Sequence, residues 1–144
     1  MMKLVKFWFV LMLLFAGNFA HASDADDATQ AANNILEALH NKNFDDLWDN
    51  KMSAWYKKQL TKNSFMANMA LGRSPLGNVV QPSTFVDMAY TKSDPSTGVT
   101  GEIYAFNFLT TYTVGRFYER IVVIKETDGI FRLTGLFGAS APAP

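Results

Sequence analysis

Hydrophobic positions change their period once along this chain. Ala28, Ala31, Ala32, Ile35, Leu36 and Leu39 recur at the three- and four-residue spacing that only a helix gathers on one side. Asp24, Asp26 and Asp27 precede most of that stripe, where a helix's unpaired N–H groups favour negative charge. Asn41-Lys42-Asn43 ends the helix, and Asn43 is predicted to cap a short second one with Phe44, Leu47 and Trp48 inward. Ser53 begins a third helix, with Trp55, Tyr56 and Leu60 as its apolar side. A further helical stretch holds Phe65, Met66, Met69 and Ala70 before Gly72 and Pro75 stop it.

After Pro75 the period becomes two. Val79 to Thr91 reads as a first strand, with Pro82 near its start marking an edge or a bulge. Asp94-Pro95-Ser96-Thr97-Gly98 reads as a turn. Tyr104, Phe106, Phe108, Thr110 and Tyr112 then alternate with Ile103, Ala105, Asn107, Leu109 and Thr111, so the even face of the second strand is the aromatic one. Phe117 to Glu126 is the third strand, and Asp128-Gly129 predicts a two-residue hairpin into the fourth, Ile130 to Phe137. Helices first and a meander afterwards predict an α+β domain, its N-terminal helices packed on a curved four-stranded antiparallel sheet. Ile121-Val122-Val123-Ile124 is apolar at both parities, so the back of the sheet also needs cover. Either the tail or strand curvature supplies it, or a second copy or partner docks there as in a homodimer.

The front of the chain has a different grammar. Lys3 and Lys6 precede an apolar run from Phe7 to Ala16, and Ala20-His21-Ala22 supplies the small-x-small pattern before a peptidase cut. Ten apolar residues rise about 15 Å as a helix, half of a hydrocarbon core of about 30 Å. Residues 1–22 are therefore expected to be a signal peptide cut between Ala22 and Ser23. No cysteine is present for lipid attachment. The expected product is periplasmic or secreted, without a membrane span, as a single domain over 23–138 followed by a flexible tail over 139–144.

Composition narrows the chemistry. Thirteen Lys+Arg balance thirteen Asp+Glu among 144 residues, so nothing suggests a nucleic-acid partner, which calls for a basic excess. Loss of Lys3 and Lys6 leaves eleven basic and thirteen acidic side chains, a net charge of −2. Hydrophobic residues make up 49%, enough for one core without covalent staples.

The ordered pieces bear a resemblance. They are Phe44-Asp45-Asp46-Leu47-Trp48-Asp49, Arg73-Ser74-Pro75-Leu76-Gly77, Gly101-Glu102, Phe108-Leu109-Thr110-Thr111-Tyr112, Glu119 and Asp128-Gly129-Ile130-Phe131-Arg132-Leu133-Thr134-Gly135. Together they resemble a bacterial family of exported domains of unknown function, DUF4019, and more broadly the cystatin-like or nuclear-transport-factor-two-like cone. Gln81-Pro82 stands where that family tends to place an Arg, and Gly135-Leu136 where it tends to have Gly-Tyr. The resemblance implies fold and export and supplies no reaction.

Few side chains carry catalytic or metal chemistry. Without cysteine and with His40 as the single histidine after cleavage, neither a thiol nucleophile nor a tight zinc or copper site is expected, and no cofactor. His40 follows the helical stripe, where a cation is favourable without any function. Asp45 and Asp46 read as complements of a helix start, and both face water with Asp49, rather than forming a weak calcium site or an acid/base pair. Lys51, Lys57, Lys58 and Lys62 read as a solvated helix face. Arg120 and Arg132 are placed to pair with Glu119, Glu126 or Glu102 across strands.

Two functions from different classes remain. The first is a non-enzymatic domain that binds a protein partner or a small apolar ligand in the cell envelope, in the manner of an immunity or inhibitor protein. Trp48, Trp55, Arg73 and Arg116 are its candidate binding residues, as aromatic and Arg side chains dominate interfaces. The second is a cofactor-free pocket enzyme of the cone type. Asp87, which shares parity with Phe85 and Ala89, would then face inward beside Tyr90, Tyr104 or Tyr112.

Overall fold

The computed structural model describes residues 23–95 and 97–144, so the expected leader over 1–22 lies outside the described residues. Helix α1 occupies residues 23–40. Helix α2 (Phe44–Asp46) runs directly into a π-helical turn, Leu47–Lys51, and is followed by α3 (Ala54–Gln59) and α4 (Lys62–Gly72). A short 3-10 turn, Ser74–Leu76, leads into strands β1 (Val79–Ser93), β2 (Thr100–Tyr112), β3 (Gly115–Lys125) and β4 (Phe131–Ser140). The four strands form one antiparallel sheet in the order β1-β2-β3-β4.

Local chemistry sets the helix starts. Ser53 accepts the Tyr56 N–H at 3.1 Å and Thr61 the Ser64 N–H at 3.2 Å, each satisfying a donor that the first turn leaves unpaired. Asn43 stands at the start of α2 as expected, yet its side chain makes no capping bond there. The turn from β3 to β4 also differs from the two-residue form. Gly129 N–H donates to Glu126 O at 2.9 Å and Glu126 N–H to Ile130 O at 3.0 Å, closing a three-residue loop with Gly129 at φ 82°. Glycine there supplies the left-handed residue that such a loop requires.

The helical stripe does what its period says. Ala28, Ala32, Ile35, Leu36 and Leu39 are buried against Tyr104, Phe106 and Phe108 of β2, Ile121 and Val123 of β3, and Leu133 of β4. Alanine at 28 and 32 lets the helix backbone approach the aromatic rows closely. The other face carries a smaller cluster of Val99, Ile103, Ala105 and Val122, with Trp55 and Ile124 against it. The double apolar parity of β3 is thus met within the chain, by Trp55 of α3 and by Val99 beside the β1–β2 turn.

The two sheet edges are treated differently. Met52 bridges Leu133 in parallel, with Ser53 N–H donating to Leu133 O at 2.8 Å, so the β4 edge is covered at its start. Strand β1 forms the other edge, with Phe85, Val86, Met88 and Tyr90 exposed and Pro82 placed where its missing N–H costs least. Register shifts in β1 and between Val122 and Val123 bend the sheet. The expected tail begins too early at 139. Ala139 and Ser140 still pair with Tyr118 and Phe117, and Ala141 N–H donates to Arg116 O at 2.8 Å. Small residues with no alternation hid that last stretch of strand. No helix among the described residues is long and apolar enough to cross a membrane.

Candidate functional site

A buried carboxylate organises one end of the sheet. Glu119 of β3 shares parity with Ile121 and Val123, so the pleat turns it toward the helices, where it is 0% exposed. An unpaired charge in that position would be strongly unfavourable. Four donors meet it. Tyr112 O–H reaches Oε1 at 2.5 Å, and the Arg73 guanidinium reaches the same oxygen through Nη1. Thr110 O–H donates to Oε2 at 2.6 Å and His40 Nε2–H donates to it at 2.9 Å. The proton of Thr110 being committed, Ser83 O–H donates to Thr110 Oγ1 at 2.6 Å. The His40 ring stands edge-on to Tyr112, with centroids 5.8 Å apart.

These donors come from every layer of the fold: α1, the end of α4, β1 and β2. Arg73 is carried in by a tight corner after α4, where its own N–H closes the helix on Met69 O at 2.8 Å. Gly77 completes that corner at φ 79°, and a Cβ there would lie 1.9 Å from Thr113 Oγ1. Only glycine fits, because the Thr113 hydroxyl also accepts the Asn78 N–H at 2.9 Å.

Electrostatics follow from the geometry. Burial alone would push the Glu119 carboxyl up; donation from His40, Thr110 and Tyr112 and the charge of Arg73 outweigh it and hold the group down at about 2. The Tyr112 hydroxyl is pushed well above the usual phenol range, first by burial and then by its bond to Glu119. Glu119 is thus an ionised acceptor with its oxygens engaged, a poor general base.

A cavity of about 300 Å³ opens over this centre on the helix side of the sheet. Met69, Leu76, Phe117 and Leu136 wall it, and Arg73 and Glu119 form its floor. Arg73 spends only Nη1 on Glu119 and Tyr112, and its Nε and Nη2 make no hydrogen bond among the described residues. Gly138 borders the guanidinium, and a Cβ built on it would stand 3.8 Å from Nη2. The missing side chain at 138 keeps the cavity open. A larger groove of about 520 Å³ lies on the back of the sheet among Ala89, Ala105, Val122 and Phe137, and contains no buried charge.

Of the residues singled out in the sequence, Arg73 and Tyr112 meet at this site. Asp87 does not face inward. It pairs with Asn107 on the opposite face, exposed, and accepts the Asn107 amide at 2.5 Å. The register shift between Phe85 and Asp87 reverses the parity on which the inward reading rested. Tyr90 and Tyr104 sit together on the helix side, ring centroids 5.0 Å apart, so the structure does not bring either to Asp87. Tyr90 is exposed and donates to Glu102 at 2.5 Å, which pushes its hydroxyl up to about 12.

The remaining candidates are dispersed. Arg116 lines a separate groove on the back of the sheet, beside Gln81 and Leu109 and away from Arg73. Trp48 packs on Phe65 at 5.6 Å, with Lys57 Nζ 5.9 Å from its ring, and supports the core. Trp55 belongs to the back cluster. Asp45 and Asp49 both pair with Lys62 at 3.0 Å and Asp46 with Lys51 at 3.2 Å, which neutralises much of the expected basic face. Arg132 pairs with Glu126 at 2.9 Å and Asp128 at 2.8 Å, leaving Glu119 to Arg73. No group of three or more metal-ligating side chains occurs among the described residues.

A family model described as a protein of unknown function, DUF4019, matches residues 31–136. That span holds His40, Arg73, Ser83, Thr110, Tyr112 and Glu119. No curated protein and no solved structure matches the chain.

Proposed function

The chain belongs to the DUF4019 family, and from that premise we propose that it is a non-enzymatic binding domain of the cell envelope. Its binding site is the cavity over Arg73, which receives an apolar group from a small ligand or from a partner protein's side chain. One observation carries this reading. The buried carboxylate, which a catalytic base would need free, is saturated by four donors, while its partner Arg73 keeps free donors toward a cavity with apolar walls. Convergent polar groups on an otherwise apolar concavity are the ordinary make-up of a ligand site.

Titration of 15N-labelled protein with hexanamide tests it. Saturable shifts are expected at the amides of Gly72, Phe117, Gly138 and Ser140. Gly138→Leu is expected to abolish them with its thermal unfolding little changed, since a Cβ at 138 meets only ordinary contacts. Shifts that are absent, or that persist in Gly138→Leu, would contradict the reading. The envelope location rests on the leader over 1–22, and mass spectrometry of the native protein is expected to find Ser23 at its N-terminus. An intact Met1 would remove that half of the proposal.

A further inference from the structure

We propose that Glu119 sets the charge preference of the cavity, so that it takes an uncharged acyl group, an amide or ester carbonyl on an apolar body, over a carboxylate of the same shape. This inference rests on the cavity being the binding site. A guanidinium whose Nε/Nη2 edge is free ordinarily reads as a carboxylate receptor. Here the positive charge is already answered. Glu119 is 0% exposed and Arg73 is 9% exposed, and they are in direct contact, so the floor of the cavity sums to zero charge. Tyr112 and Thr110 bring donors to Glu119 and no charge, and His40, which meets the other oxygen of Glu119, does not line the cavity.

A ligand carboxylate on Nε and Nη2 would place a second anion across one guanidinium from the first, in a site partly closed to water. Like charges that close raise each other's cost, and a low local dielectric enlarges it. An amide oxygen accepts the same N–H groups without that repulsion. The apolar walls of Met69, Leu76 and Phe117 then take the alkyl body. Glu119 thus acts through Arg73, as a positioning and selectivity residue that does not itself touch the ligand.

Three probes at neutral pH separate the cases: hexanamide, hexanoate and acetyl-leucinamide, each followed by amide shifts in the labelled protein. Both amides are expected to bind at least about tenfold more tightly than hexanoate, a gap of about 1.4 kcal/mol. The tighter of the two amides identifies the source as a free small molecule or a peptide. In Glu119→Gln the guanidinium charge is no longer balanced, and hexanoate is expected to overtake hexanamide. Should that variant not fold, the wild-type ratio still decides. Hexanoate binding as tightly as hexanamide in the wild-type cavity would overturn the inference and leave the cavity reading standing. No shift at the cavity with any probe would overturn both.

Discussion

Replacing Arg73 with alanine is expected to lower the unfolding free energy by about 3–5 kcal/mol, the usual loss when one partner of a buried ion pair is removed. The reason lies in what stays behind. Glu119 remains 0% exposed, and the guanidinium that faced it is gone. Tyr112, Thr110 and His40 still donate, which is why the loss is not larger. Against a total stability of about 5–15 kcal/mol for a domain of this size, such a change empties much of the folded population at modest urea. Arg73→Met combined with Glu119→Leu removes both charges and is expected to recover part of the loss, because well-packed apolar replacements spare the desolvation cost. Urea unfolding of the three proteins checks this. A loss below about 1 kcal/mol for Arg73→Ala would mean that the pair is not buried as described.

Acid is expected to act through the same carboxylate. Glu119 is held down to about 2 in the folded protein, against an ordinary value of 4.5. A depressed folded value stabilises the protein above the unfolded one, and that contribution disappears as pH falls from about 4.5 toward 2. Converted at 1.36 kcal/mol for each pH unit, the gap amounts to about 3 kcal/mol. The unfolding free energy is therefore expected to be level in this respect above pH 5 and to fall steeply below 4.5. Glu119→Gln is expected to flatten that fall. Asp46 and Asp128 are also held low, by Asn50 and by Arg132 respectively, but both are at the surface, where water screens the interaction. A wild-type curve without a steep acid limb would contradict the assignment.

Much of the fold was legible because burial on one face writes a period. The α1 stripe and the aromatic even face of β2 are buried as their spacing predicts. The end of β4 was not legible, since Gly138-Ala139-Ser140 has no large residues to alternate. Asp87 was misplaced because one irregularity in pairing flips every later side chain, and single-sequence parity cannot register it. The site itself was half visible. Glu119 lies two residues before Ile121 and Thr110 two after Phe108, so parity alone puts both inside, and His40 follows Leu36 by one helical turn. What parity could not supply was the partner. Arg73 approaches from a corner 46 positions away in the chain, and only the packed helices bring it onto Glu119.

Glu119 is a saturated acceptor, ionised down to about pH 2, that holds the cavity floor together. Carbon-13 NMR of carboxyl-labelled glutamate follows its titration directly. The Glu119 resonance is expected to stay in its ionised position as pH falls through 4.5, moving only near 2 or on unfolding. A midpoint at or above 4.5 in the folded protein would mean an unsaturated carboxyl free to exchange protons, and would contradict this.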